Sequence, residues 1–301
     1  MGLFDGVHRG HAFLLETLKA WAAERGAAPV AVTFDPHPEE ILHGAAPPLV
    51  VSPARRVELI RALGVPRVWL FPLTRAVMAL AAREFVARHV RDALGGEGLL
   101  MGFDNRLGSD RADCAALRAA GADLGIEVRA CPPYLVDGEP VSSTAVRKAI
   151  VTGDLPAAEK LLGRRVSVMG RVVRGRKIGR LLGFPTANLE TAHQAVVPCG
   201  IYAAEVTLEG RTLRAAVSVG SGPTARPGDI APGTGSYVGA EHTVEVHVIG
   251  YAGDLTGKDI EARIVRKLRE ERRFPDYASL IEQIKKDIAE IETGRDAGGG
   301  P

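Results

Sequence analysis

Residues 2–11 read Gly2-Leu3-Phe4-Asp5-Gly6-Val7-His8-Arg9-Gly10-His11 and run directly into Phe13, Leu14, Leu18 and Trp21 at helical spacing. A glycine-rich turn that feeds a helix N-terminus presents free backbone N–H groups and the positive end of the helix dipole, a combination suited to phosphate. Gly6 and Gly10 give this segment its turn character, and His8 and His11, three positions apart, share one face where the helix starts. Imidazoles placed there can hydrogen-bond a polyphosphate and stabilise charge that grows during phosphoryl or nucleotidyl transfer. Taken alone the pair is as consistent with an incidental arrangement. A metal site would lack a third histidine nearby.

Outward from this segment, short apolar runs alternate with helical patterns. Val30 to Phe34, Arg67 to Phe71 and Leu99 to Met101 read as buried strands, while Val57, Ile60 and Leu63, then Phe85, Val86 and Val90, recur at helical spacing. Such alternation predicts an α/β domain, a parallel sheet covered by helices, whose ligands bind at the carboxyl ends of the strands. Thr33-Phe34-Asp35-Pro36-His37-Pro38 and Gly102-Phe103-Asp104 stand at such strand ends. Val141-Ser142-Ser143-Thr144-Ala145-Val146-Arg147 places hydroxyls at a helix N-cap with an arginine about one turn on. That arrangement suits a triphosphate, or else is an ordinary capped helix with a surface arginine.

The pattern changes near Leu162-Gly163. Val166 to Val173, Ile201 to Leu208, Leu213 to Val219 and Thr243 to Ile249 are strand-like, with Gly and Pro clustered between them, which predicts an antiparallel barrel or sandwich. Leu280, Ile281, Ile284, Ile288 and Ile291 give a closing helix one apolar face. Two different domains are expected, 1–160 and 161–293, followed by a disordered tail over 294–301.

Bulk composition excludes several classes. The 301 residues suffice for two domains, and 46% hydrophobic with 25% charged residues is globular. A formal net charge of +2 gives no argument for a nucleic-acid or lipid surface. Arg164 to Arg180 nevertheless gathers Lys and Arg with no acid, read as a local anion site or as a solvated strand-loop stretch. Cys114, Cys131 and Cys199 form no CxxC pair, so neither a disulfide framework nor a zinc site is expected. No apolar run approaches the ~18 residues of a membrane helix, and no signal segment opens the chain. A cytoplasmic protein is expected.

Within the basic stretch, Gly179-Arg180-Leu181-Leu182-Gly183 leads into Phe184-Pro185-Thr186-Ala187-Asn188. A glycine-rich basic loop can fold over phosphates, and Thr186 and Asn188, two apart on a strand-like segment, face the same side. Their oxygens suit Mg²⁺ held mainly by nucleotide phosphates, although the segment is also readable as a plain turn into a strand. In Thr243-Val244-Glu245-Val246-His247-Val248, Glu245 and His247 face together, away from the valines. A glutamate beside a nucleotide can take the proton of a primary alcohol attacking a γ-phosphate; the other reading is a solvent-facing strand position.

The N-terminal segments together resemble the nucleotidyltransferase superfamily, and more specifically the adenylyltransferase module of bacterial riboflavin kinase/FAD synthetases. That family carries G-x-F-D-G-V-H-x-G-H, T-F-x-P-H-P, G-x-D-F-x-F-G and S-S-T-x-x-R in this order, and the first, second and fourth are intact here. The resemblance implies that His8, His11, Ser143, Thr144 and Arg147 handle ATP phosphates beside Gly6 and Gly10. It sets Asp104 near the nucleotide or its metal, and His37 and Pro38 on the flavin or ATP side. The third motif departs, reading Gly102-Phe103-Asp104-Asn105-Arg106-Leu107-Gly108, with both aromatics replaced. The family's first strand precedes G-x-F-D-G, whereas this chain opens at Met1-Gly2, so the expectation is a domain shown without that strand and a true start lying upstream.

The C-terminal segments resemble the riboflavin kinase domain of the same family, a six-stranded barrel. Its marks G-R-x-L-G-F-P-T-A-N and G-[IV]-Y are matched by Gly179 to Asn188 and by Gly200-Ile201-Tyr202. The others, E-[VT]-H, G-D-L-Y-G and L-R-x-E-x-x-F, correspond to Glu245 to His247, Gly253 to Gly257 and Leu268 to Phe274. The resemblance implies Thr186 and Asn188 at Mg²⁺ and ATP with Gly179 and Gly183, Glu245 as catalytic base, and Arg269, Glu271 and Phe274 in a flavin flap. Thr256 replaces the usual tyrosine, and Ser218 to Ala225 lacks the family's arginine and aromatic. The implied activity is phosphorylation of riboflavin to FMN, then joining of FMN to AMP to give FAD, with riboflavin, FMN and ATP as small-molecule partners and no nucleic acid or membrane. The rival readings are a kinase alone, or a flavin- or nucleotide-binding regulator without turnover.

Overall fold

The computed structural model describes residues 1–175, 178–191, 194–221 and 242–294. Arg176 and Lys177 of the basic stretch, residues 222–225 of the altered loop and residues 295–301 of the expected tail lie outside the described residues. The chain forms two compact units, one of Met1–Arg147 with Lys160–Gly163, the other of Lys148–Glu159 with the segment from Arg164 onward.

In the first unit, α1 (Arg9–Glu24) precedes β1 (Val30–Asp35), α2 (Pro38–His43), α3 (Pro53–Ala62) and β2 (Arg67–Pro72). Two short helices, α4 (Arg75–Met78) and α5 (Ala82–Phe85), lead into a π-helical stretch, Val86–Asp92. Next come β3 (Gly98–Gly102), α6 (Cys114–Leu124), β4 (Glu127–Cys131), the short strands β5 (Leu135–Val136) and β6 (Glu139–Pro140), and α7 (Ser143–Thr152). β1 pairs in parallel with β2, and β3 in parallel with β4.

The opening residues lie between these two strand pairs. The Met1 amine donates to the Leu100 carbonyl of β3 at 3.2 Å, and Gly2 N donates to the Val32 carbonyl of β1 at 3.1 Å. Thr33 Oγ1 donates to the Leu3 carbonyl at 2.8 Å. Desolvation lowers the Met1 amine pKa to about 6. Phe4, Val7, Leu15, Trp21, Ala31, Ile60 and Leu100 form one buried cluster, so the segment that carries the histidines is anchored in the core on which α1 packs.

β4 has no counterpart among the strands expected from the sequence. Its burial explains why: only Val128 and Cys131 are buried, so the strand shows no continuous apolar run.

After α8 (Leu155–Leu162), the second unit continues with β7 (Ser167–Val173), α9 (Ile178–Leu181) and β8 (Ala187–Glu190). β9 (Gly200–Leu208), β10 (Arg211–Ser221), β11 (His242–Val248) and β12 (Asp259–Arg269) follow. The six strands close a barrel in the order β10-β11-β8-β7-β12-β9. Val168, Leu189, Tyr202, Val206, Val217, Val246 and Ile264 are among the buried residues of these strands. Closure removes the free edges that an open antiparallel sheet would expose.

The closing helix, α10 (Tyr277–Thr293), is capped by Asp276, whose carboxylate accepts from Ser279 N at 2.7 Å. Its last turn is tied to β10 by Arg214, which donates to the Ile291 carbonyl at 3.0 Å. Among the described residues no helix is long and apolar enough to cross a membrane.

Candidate active sites

In the first unit the glycine-rich segment is a strained turn. Phe4, Gly6 and Val7 all have positive φ, 53°, 80° and 39°, a conformation that costs the two non-glycine residues and that burial of their side chains in the core helps to hold. His8 is the N-cap of α1 and buried, and its Nδ1 accepts from His11 N at 3.3 Å. An accepting Nδ1 in a neutral imidazole places the proton on Nε2, which makes His8 a donor on that side. The two imidazoles stack with centroids 3.6 Å apart, and Phe4 meets His11 edge-on. A Cβ at Gly10 would lie 3.2 Å from the His8 ring and 3.3 Å from the Val141 carbonyl, so the absent side chain lets that ring settle on the first helical turn.

Asp5 lies outside the site expected from the sequence, yet it organises it. Its carboxylate, 2% exposed, accepts from Val50 N at 2.9 Å and Val51 N at 3.3 Å, and from Arg147 Nη2 at 3.2 Å. Ser143 Oγ donates to the Asp5 carbonyl at 2.9 Å, and Arg147 Nε to the Pro48 carbonyl at 2.7 Å. Helix α7 is therefore fastened to the histidine turn at two points, one turn of helix apart. Thr144 beside them is exposed.

A buried guanidinium, Arg56, donates to Thr33 Oγ1 at 3.1 Å and the Phe34 carbonyl at 3.0 Å, holding the end of β1. Burial lowers its pKa, with Asp5 and Asp35 opposing. Past that strand end, His37 caps α2 by accepting from Glu39 N at 3.2 Å, and Pro38 takes the first helical position. Burial lowers the His37 pKa, opposed by Glu39 and Asp5 and reinforced by Arg147 and Arg56. His37 thus shares an electrostatic environment with the Asp5–Arg147 pair. Asp104 sits in an exposed turn just past β3, beside Phe103, which is also exposed.

In the second unit, the β8–β11 register sets Asn188 opposite Glu245. Val244, Val246 and Val248 are buried, so Glu245 and His247 are turned to the opposite face, as the alternation predicts. Thr186 Oγ1 donates to Glu245 Oε2 at 3.2 Å. The turn that carries Thr186 is closed by Phe184 N donating to the Gly179 carbonyl at 2.7 Å, and Gly183 has φ +90°. A Cβ at Gly179 would lie 2.4 Å from the Phe184 carbonyl, and one at Gly175 would lie 2.1 Å from Asn188 Nδ2. Both glycines leave room for the segment that presents Thr186 and Asn188.

A cavity of about 430 Å³ opens here, with Arg174, Thr186, Asn188, Tyr251, Asp254 and Leu255 in its wall. Its chemistry fits Mg²⁺ bound to phosphate. The Thr186 hydroxyl spends its proton on Glu245 and keeps its lone pairs, and Asn188 adds an amide oxygen. Among the described residues no group of three or more His, Cys, Asp or Glu could hold a metal ion.

The residues expected in a flavin flap divide. Arg269, at the end of β12, is bonded to the Asp287 carboxylate of α10 at 2.8 and 3.1 Å, and its guanidinium stands 5.8 Å from the Phe274 ring centroid. The Glu271 carboxylate lies over Gly220 of β10, where an added Cβ would stand 3.0 Å from its Oε1. The carboxylate partner of Arg269 escapes the sequence because it comes from a helix position, 287, that reads as part of a polar face.

Comparison with known proteins agrees with this division into two sites. The family model for FAD synthetase matches residues 1–145, and that for riboflavin kinase matches residues 162–294. The bifunctional riboflavin kinase/FMN adenylyltransferase of Pseudomonas fluorescens is 37% identical over 290 residues, 96% of this chain and 90% of its own. The protein of that name from Escherichia coli strain K12 is 33% identical over 290 residues, covering 95% and 89%. A solved structure from Streptococcus pneumoniae, described as a macrolide-efflux protein, matches with a TM-score of 0.80 at 27% identity over 98% of this chain and 93% of that one. The two site constellations and the near full-length relatives lead to one conclusion: the chain belongs to the family of bifunctional riboflavin kinase/FMN adenylyltransferases.

Proposed function

We propose that this chain makes FMN from riboflavin and ATP in its C-terminal module, 161–293, and FAD from FMN and a second ATP in its N-terminal module, 1–160, in the cytoplasm. The Thr186–Glu245 hydrogen bond, with Asn188 paired opposite Glu245, carries the reading. It holds a carboxylate beside two oxygen ligands suited to a nucleotide-bound cation.

In the kinase reaction Glu245 takes the proton of the ribityl 5′-hydroxyl as its oxygen attacks the γ-phosphorus, and ADP leaves. Thr186 orients the carboxylate that accepts the proton. Thr186 and Asn188 would hold Mg²⁺, which when bound neutralises phosphate charge. Gly179 and Gly183 would let the backbone approach the phosphates, and Arg269, Glu271 and Phe274 would border the flavin.

In the adenylylation reaction an FMN phosphate oxygen attacks the α-phosphorus of ATP and pyrophosphate leaves. His8, donating from Nε2, and His11 would stabilise the charge on the phosphates, with Gly6, Gly10, Ser143 and Thr144 lining the phosphate path. Asp104 would stand near the nucleotide, and His37 and Pro38 near the flavin. Arg147 would act through the Asp5 ion pair that shapes the turn, in addition to its positive field.

Incubation with riboflavin, ATP and Mg²⁺, followed by chromatography of the flavins, tests the reading. Both FMN and FAD are expected. Glu245→Ala should block FMN formation while supplied FMN is still adenylylated, and His11→Ala should block FAD formation alone. FMN without FAD from the unsubstituted chain would leave a kinase only, and no conversion would remove both activities.

A further inference from the structure

The β8–β11 ladder stops at Ala187 and Val246, one residue short of Thr186. Pro185, next in line, has no N–H with which to extend it. Backbone pairing therefore does not reach the residue that touches Glu245. Between the Phe184–Gly179 backbone bond and the ladder, two side chains of β11 reach the segment, Glu245 and His247. The His247 Nδ1 lies 2.8 Å from the Pro185 carbonyl, and Phe184 meets its ring edge-on at 5.9 Å and 85°.

A carbonyl only accepts, so the proton of this bond belongs to His247 Nδ1. The ring is fixed in the Nδ1–H form, and protonation of Nε2 would leave the bond in place. Pro185 and Thr186 share a peptide unit, so a clamp on the Pro185 carbonyl also sets the orientation of the Thr186 backbone.

We propose that His247 is a positioning residue of the kinase site, its Nδ1–H clamping the Pro185 carbonyl so that Thr186 stays in register with Glu245. The inference rests on the kinase reading of this site. It assigns His247 no proton transfer, which belongs to Glu245.

Two substitutions in the full chain separate the donor from the ring. His247→Phe keeps the ring against Phe184 and removes the donor. His247→Asn gives up the ring and offers an amide N–H close to where Nδ1 stands. Loss of one positioning hydrogen bond should lower kcat/KM for Mg-ATP in FMN formation by about tenfold in His247→Phe, equivalent to ~1.4 kcal/mol. His247→Asn should stay within about threefold of the unsubstituted chain, a rescue that loss of packing alone would not give. Adenylylation of supplied FMN and the melting profile should be unchanged in both.

A direct readout independent of turnover is the two-bond ¹H–¹⁵N correlation of His247, which should show a protonated Nδ1. Wild-type kinetics in His247→Phe, equal impairment of the Asn and Phe variants, or a neutral ring protonated only on Nε2 would each overturn the proposal. If the unsubstituted chain forms no FMN, the kinase reading fails and the inference with it. An active unsubstituted chain with an unaffected Phe variant removes the inference alone.

Discussion

Asp5 and Arg147 form a partly buried ion pair, Nη2 to Oδ2 3.2 Å, with side chains 2% and 18% exposed. It joins the turn that ends in His8 to the helix that begins at Ser143. The same carboxylate also takes two backbone N–H groups, from Val50 and Val51, so three segments distant in sequence converge on one side chain.

Asp5→Asn keeps the shape and removes the charge. A hydrogen bond to a charged group contributes about 1.5–3 kcal/mol, so chemical unfolding of the variant should show the first unit destabilised by that order. FAD formation from supplied FMN should fall more than FMN formation from riboflavin, because the kinase residues lie in the other unit. Unfolding and FAD synthesis both unchanged would refute the assignment.

Gly175→Ala tests the kinase cavity through space rather than charge. The added methyl would stand 2.1 Å from Asn188 Nδ2 and 2.8 Å from its Oδ1, so the amide must swing away. The expected result is a KM for Mg-ATP raised about tenfold, ~1.4 kcal/mol of lost binding, with FAD synthesis from supplied FMN intact. An unchanged KM would show that Asn188 is not needed at the nucleotide.

His89 gives the first unit a dependence on pH. Its ring packs against Phe71 at 4.8 Å and Phe85 at 4.9 Å, and burial, with help from Arg88, lowers its pKa from 6.5. A base with a depressed pKa in the folded state is protonated more readily in the unfolded chain. The folded state is therefore favoured above the unfolded value and loses stability as pH falls below about 6.5. His37 shifts in the same direction, and protonating its Nδ1 would also remove the acceptor that caps α2. Melting curves between neutral pH and pH 5 should show a declining midpoint, with a shallower decline in His89→Phe. Equal slopes for the two proteins would exclude His89 as a source.

Much of the fold is legible as periodicity. The three apolar runs of the first half are β1, β2 and β3, and the alternation of Thr243 to Ile249 is β11. What escapes is structure whose pattern is ambiguous at short range. β4, Glu127–Cys131, buries only Val128 and Cys131 and shows no apolar run. β12, Asp259–Arg269, carries six charged side chains and buries only Ile260, Ala262 and Ile264. A one-sided strand of that composition is distinguished only by the barrel that covers its other face.

The sites divide similarly. Motif spacing marks His8 with His11 and Thr186 with Asn188 inside short segments, and strand alternation marks Glu245 separately. The sequence marks Arg147 for phosphate, and the structure adds a carboxylate and a carbonyl already bound to it.

From the glycine-rich turn at residues 2–11 and the Gly179 to Asn188 segment, the sequence by itself determined which local geometries form and which chemical groups they offer, since turns, caps and alternation depend on neighbours a few positions apart. Tertiary structure alone decided that Asp5 is the hub of the first site, that Asn188 stands opposite Glu245, and that His247 reaches Pro185. Asp5 and Arg147 stand 142 positions apart in the chain, and His247 and Pro185 stand 62 apart. They exist because core packing and strand register bring the partners within hydrogen-bond distance, and no local pattern encodes that distance.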